Sequence, residues 1–164
     1  MTPSLRRKIC SRVSLQRAVQ RAQRQGKRIV FTNGCFDLLH VGHVTLLERA
    51  KRLGDVFIVA INSDRSIRAL RKGPGRPLVP QHHRATVLAA LASVDFVTIF
   101  DEPTPFKLIR QLKPDVLVKG ADWASTGIVG SDLIRRSGGR VVRLPLVKGF
   151  STTALVKRLR RLSS

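Results

Sequence analysis

The chain has 164 residues, the size of one domain with a single core. Hydrophobic residues make up 43% and charged residues 25%, which excludes wholesale disorder, and no apolar run approaches the roughly 20 residues of a membrane span. Thirty-one Lys and Arg stand against ten Asp and Glu, a net charge of +21 that points to phosphorylated or polyanionic company.

The charge is uneven. Residues 1–28 hold nine cations and no carboxylate, and the last eight residues add Lys157, Arg158, Arg160 and Arg161. Much of the excess therefore lies away from the motifs below, where a solvated basic surface explains it as well as a binding function does. The start of the chain has charge but no apolar stretch behind it, so no secretory signal is expected. Cys10 and Cys35 make neither a disulfide framework nor a metal spacing, which favours a reducing, cytoplasmic setting.

Residues 14–26 place Leu15, Ala18, Val19 and Ala22 on one side of an expected amphipathic helix, within a basic N-terminal segment spanning residues 1–27. From residue 28 to 164 short apolar runs alternate with helical patterns. Strands are expected at 28–33, 55–62, 95–100, 115–119 and 140–144. Helices are expected at 42–53, 64–70, 81–92, 104–112 and 130–137, and a last one is capped by Ser151 and runs to about Leu162. The run from Arg71 to Pro77, with two Gly and two Pro, reads as loop. Five strands alternating with helices mean βαβ crossovers and an α/β doubly wound, Rossmann-like parallel sheet covered on both faces. Such sheets bind ligands beyond the carboxyl ends of the strands, and every motif of interest falls there.

The first motif runs from Asn33 to His43, out of the first strand and into the first helix. His40 and His43 are three apart at a helix N-terminus, where unpaired N–H groups and the dipole favour anions, and Gly42 between them allows close approach. Two imidazoles and a helix end suit phosphate oxygens. A metal site is the rival reading, although no third ligand lies nearby in sequence. At the other end of the chain, Ser151, Thr152 and Thr153 open the last helix, where they can hold phosphate, cap the helix, or do both.

Gly34-x-Phe36-Asp37-x-x-His40-x-Gly42-His43, together with Gly149-Phe-Ser-Thr-Thr153, resembles the paired signatures of the cytidylyltransferase-like nucleotidyltransferases of the HxGH type. Asn62-Ser-Asp64, Gly75-Arg-Pro77, Arg84, Val94-Asp95, Leu117-Val-Lys-Gly-x-Asp122 and Gly138-Gly139 narrow the likeness to the heptose 1-phosphate adenylyltransferase branch, over about residues 26–162. That resemblance implies transfer of AMP from ATP to D-glycero-β-D-manno-heptose 1-phosphate, giving ADP-heptose and pyrophosphate. It also implies Mg²⁺ accompanying ATP and a homodimer, with nucleic acid not a partner.

By the same resemblance, His40, His43 and Lys72 are expected to be catalytic. Asn33, Gly34, Phe36, Asp37, Gly42, Lys119, Gly120, Ser151, Thr152 and Thr153 are expected around the nucleotide. Asn62, Asp64, Arg76, Arg84, Asp122 and Trp123 are expected around the sugar phosphate, with any direct metal ligand unassigned. Asp37 serves equally as a turn aspartate, and the cations of the 71–77 loop as surface charge. His82, His83 and Cys35 read as ordinary surface or packing residues. Two other functions remain open. A glycerol-3-phosphate cytidylyltransferase shares these signatures, Ala121-Asp122-Trp123 included. A nucleic-acid-binding protein that kept the fold without the chemistry would suit the charge, but the chain has no Tyr and one Trp to supply stacking platforms.

Overall fold

The computed structural model describes residues 2–71, 73, 75–122, 127–147 and 149–162, the side chains of 157, 159 and 160 apart. Five parallel strands, β1 (Ile29–Gly34), β2 (Val56–Asn62), β3 (Phe96–Phe100), β4 (Val116–Gly120) and β5 (Arg140–Leu144), form one sheet in the order β3-β2-β1-β4-β5. Each strand begins and ends within one residue of its expected place. The strands are nearly all apolar because both faces of the sheet are covered, so side chains pointing either way are buried.

On one face, Ile29 and Phe31 of β1, Ile58 and Ala60 of β2 and Leu117 of β4 pack beneath α2 (Arg12–Arg24), α6 (Phe106–Leu112) and α7 (Ser131–Arg136). On the other face, Val30, Val59, Ile61 and Val118 pack beneath α3 (Val41–Lys51) and α5 (Gln81–Ala89). In the N-terminal segment, α2 buries Leu15, Val19 and Ala22 in the first of these layers, a stripe set by the 3.6-residue period. Ser11 caps it, accepting from the Ser14 amide at 3.2 Å.

The helices differ from expectation by one addition and at their ends. A helix precedes α2: α1 (Pro3–Lys8) starts with Pro at its first turn, where the missing N–H costs nothing, and is too short to show a period. The helix after β2, α4 (Asp64–Ala69), ends one residue early, and α5 ends at Ala89 because the chain must turn before β3.

The chain reverses its winding between β1 and β4, the switch point at which open α/β sheets bind ligands. That seam is also the narrowest in the sheet. Three residue pairs join β1 to β4, against six for β1 with β2 and five each for β2 with β3 and β4 with β5. Thr32 Oγ1 adds a bond across it, donating to the Val118 carbonyl at 2.9 Å. The last helix, α8 (Thr152–Leu162), returns the chain to the switch point. Among the described residues no helix is long and apolar enough to cross a membrane.

Candidate active site

A cleft of about 520 Å³ opens over the β1–β4 seam. Its floor is the ends of those strands, Asn33 and Gly34 from β1 and Lys119 and Gly120 from β4, and its walls are the starts of α3 and α8. Two helix N-termini thus converge on one space, each presenting partial positive charge and backbone N–H groups. They are tied together: Thr152 Oγ1 donates to the Leu38 carbonyl at 3.4 Å, joining α8 to the loop that enters α3. Ser151 caps α8, its Oγ accepting from the Ala154 amide at 3.0 Å. At the start of α3, His40 provides no side-chain cap.

The two histidines stack, with centroids 3.8 Å apart and planes 26° apart, and Phe36 leans against His43 at 5.2 Å. Burial pushes the His43 imidazole down to about 4, and the neighbouring His40 pushes the same way, outweighing a hydrogen bond to the Leu38 backbone that raises it. Burial lowers His40 as well. At neutral pH His43 therefore enters the site as a neutral ring, one nitrogen a donor and the other an acceptor. The Nδ1 atoms of both rings and Oδ1 of Asn33 are buried with no hydrogen-bond partner among the described residues. All three residues line the cleft, and orphaned polar atoms cost about 1–3 kcal/mol each unless a ligand satisfies them.

Gly42 differs in role from the expected open approach. A Cβ there would lie 3.1 Å from the His40 ring, so the glycine makes room for the histidine pair. At Gly120 a Cβ would come within 2.5 Å of Asp122 Oδ1 and 3.0 Å of Leu146, which keeps the β4 end open for both side chains. Lys119, 8% exposed, donates from Nζ to the Asn33 carbonyl at 3.0 Å and so crosses the seam from beneath the cleft.

Of the residues expected around the nucleotide, every one lies in the cleft lining, as do His40, His43, Arg76 and Asp122. Asp37 sits there with its carboxylate turned away: Oδ2 pairs with Arg76 at 2.6 Å, and Oδ1 accepts from the Leu78 and Val79 amides. Asn62, Asp64 and Arg84 are not in the lining. Asn62 is buried, donating to Ser66 Oγ at 3.0 Å. Arg84 corrects the expectation that it reaches a sugar phosphate. It is 1% exposed, and its guanidinium donates to the carbonyls of Val79, Cys35 and Asn62 and to Asp64 Oδ1. Those carbonyls converge where β1 and β2 end, and the guanidinium satisfies them. For Asp64, burial raises the carboxyl, but hydrogen bonds to it from the Arg84 guanidinium and the Gln81 backbone, with the charges of Arg84 and Arg68, hold it below its ordinary value. Lys72 and Trp123 lie outside the described residues. The sequence reading missed the apolar part of the wall, Leu46, Ile67 and Leu146, which no motif distinguishes from core, and gave no role to Phe150 although it stands inside the second signature.

A Rossmann-like sheet with two helix N-termini and a histidine pair at its switch point is an arrangement suited to anionic ligands, as in nucleotidyltransferases. The family model described as Cytidylyltransferase-like matches residues 31–157, and the chain belongs to that family of nucleotidyltransferases. The chain is 54% identical over 156 residues to the "Bifunctional protein HldE" of Koribacter versatilis, covering 95% of this chain and 32% of that protein. It is 53% identical over 152 residues to the protein of the same name from Syntrophotalea carbinolica, covering 93% and 31%. It thus spans about a third of the length of these curated relatives. Among solved structures, the lipopolysaccharide core biosynthesis protein from Thermoplasma volcanium superposes with a TM-score of 0.62 at 27% identity, over 76% of this chain and all of that one. Pantoate-beta-alanine ligase from Francisella tularensis superposes with a TM-score of 0.59 at 15% identity, over 95% and 78%, a likeness of fold alone.

Proposed function

We propose that the protein transfers AMP from ATP to D-glycero-β-D-manno-heptose 1-phosphate, releasing pyrophosphate and giving ADP-heptose. The observation that carries this reading is the histidine pair with its unsatisfied ring nitrogens, set between two helix N-termini. The identity to proteins named HldE and the likeness to a lipopolysaccharide core biosynthesis protein agree with the heptose branch to which the motifs point.

The chemistry asks little beyond alignment. A sugar phosphate is mostly dianionic at pH 7, since its second pKa is about 6, so it attacks the α-phosphorus with no general base. The protein must hold two anions in line and stabilise charge as pyrophosphate departs. In this reading His40 and His43 donate to the phosphates at the α-phosphorus, and Ser151, Thr152 and Thr153 with the α8 dipole hold the β- and γ-phosphates. Lys119 and the β4 end support the nucleotide, and Arg76 and Asp122 face the sugar phosphate, while Lys72, expected to be catalytic, and Trp123, expected around the sugar phosphate, lie outside the described residues. Among the described residues no three His, Cys, Asp or Glu side chains gather as a metal cage. Magnesium enters as part of the nucleotide substrate, and Asp122 is the lining carboxylate left for it, Asp37 being committed to Arg76. The protein acts in the cytoplasm as a homodimer.

Pyrophosphate release tests the reading, with ATP or CTP offered against heptose 1-phosphate or glycerol 3-phosphate. Release with ATP and heptose 1-phosphate alone is expected. Release with CTP and glycerol 3-phosphate instead would move the protein to the other branch, and silence in all four mixtures would overturn the assigned acceptors.

A further inference from the structure

The backbone of Val79 is held from both sides. Its N–H donates to Asp37 Oδ1 at 3.0 Å, and its carbonyl accepts from Arg84 Nε at 2.9 Å. Asp37 stands in the loop between β1 and α3, three residues before His40; Arg84 stands in the first turn of α5. The Asp37 carboxylate also takes the Leu78 amide at 2.8 Å and Arg76 Nη1 at 2.6 Å. The Arg84 guanidinium reaches back to the Cys35 carbonyl at 2.6 Å, in that same histidine-bearing loop. The two peptide units that flank the Val79 Cα are therefore held by two buried, opposite charges, each with its own partner, Arg76 for Asp37 and Asp64 for Arg84. Buried ion pairs contribute little net stability compared with apolar packing of equal volume, so their use here marks a geometry being fixed.

We propose that Asp37 and Arg84 are positioning residues that act through the two peptide groups on either side of Val79, setting the 76–79 segment, and with it Arg76, against the loop that carries the histidines. Arg76 lines the cleft while its Nη1 is spent on Asp37, so its remaining donors are presented at a fixed place. A dianionic acceptor that needs no base depends on such placement, because a displacement of about 1 Å can cost about a hundredfold in rate. What Arg76 meets rests on the nucleotidyl-transfer reading above; the clamp itself does not.

The test separates the two. Hydrogen exchange of the Leu78 and Val79 amides is expected to be slow in the full chain. It should accelerate at least about tenfold in Asp37→Ala and in Arg84→Lys, with the amides of β1 and β2 unchanged. Wild-type exchange as fast as an unstructured loop would overturn the clamp whatever the substrate is. Asp37→Asn is the milder variant: its Oδ1 still accepts both amides, but the charge facing Arg76 is gone. It should keep exchange protection while raising KM for the phosphate acceptor about tenfold and leaving KM for ATP within about twofold. Equal changes in both KM values, or none, would overturn the positioning role. The Asp37→Ala, Arg84→Lys double variant should lose no more than the worse single variant, since both hold the backbone of one residue; full additivity would place their effects elsewhere.

Discussion

The His40 and His43 rings can lie face to face only because residue 42 has no side chain: a methyl group at Gly42 would press on the His40 ring at 3.1 Å. The glycine sits in the first turn of α3 with an ordinary helical backbone, so its purpose is space and not conformational freedom.

Gly42→Ala is accordingly expected to dissociate stability from activity. Alanine in place of glycine favours a helix by up to about 1 kcal/mol, which offsets the displacement of one partly exposed ring. Turnover should fall about 10–100-fold as His40 moves by a fraction of an ångström. Steady-state kinetics beside a urea titration checks this; undiminished turnover would show that the stack is dispensable.

His43→Ala removes a donor needed most as charge develops. We expect kcat to fall by about a hundredfold or more while the dissociation constant for ATP changes little. Calorimetric titration of the folded variant with MgATP, beside its kcat, is the measurement. A parallel loss of affinity would assign His43 to ground-state binding instead.

Acid should destabilise the protein well before its carboxylates protonate. His43 has a folded value of about 4, below the ordinary histidine value near 6.5. Between the two, the unfolded chain holds a proton that the folded chain lacks, so the contribution is complete above about pH 6.5 and is lost as pH falls toward 4. Burial lowers His40 in the same direction. Asp64 and Glu102 are also held below their ordinary values, Glu102 by its hydrogen bond from Arg12, and their contributions fade at still lower pH. Melting curves from pH 7.5 to 4.5 should show a decline that is shallower in His43→Gln; identical slopes would contradict the burial of a neutral ring.

Leu15→Ala tests whether the N-terminal helix belongs to the core. Leu15 is wholly buried against the sheet, and such truncations cost about 2–5 kcal/mol. Urea denaturation reads the loss directly. A cost under about 0.5 kcal/mol would make α2 a detachable appendage.

The sheet was legible because strands buried on both faces leave apolar runs that end in turn residues, as Val56–Asn62 does. The cleft was legible at its two ends because histidines at 40 and 43 and hydroxyls at 151–153 carry a pattern. What lay hidden is pairing over distance. Asp37 and Arg76 are 39 positions apart, and nothing in either neighbourhood announces the other. Arg84 read as a ligand for phosphate because a sequence does not show three carbonyls converging at strand ends. Short α1 lacked a period, and Leu146 is an apolar residue like any other until the fold brings it to the cleft wall.

With only three residue pairs joining β1 to β4, the sheet is two sub-sheets stitched along a short line, and the cleft lies over the stitching. On the proposed function, a nucleotide held by Asn33 and His40 on one side and by Lys119 and Ser151 on the other would act as a rivet through both. Its binding energy is then cohesion between the sub-sheets: at a hundred times its dissociation constant it adds about 2.7 kcal/mol to the folded state. MgATP should therefore raise the melting temperature and slow amide exchange most at Thr32 and Val118. In the empty protein, amide exchange among the central strands is expected to be fastest along that same line.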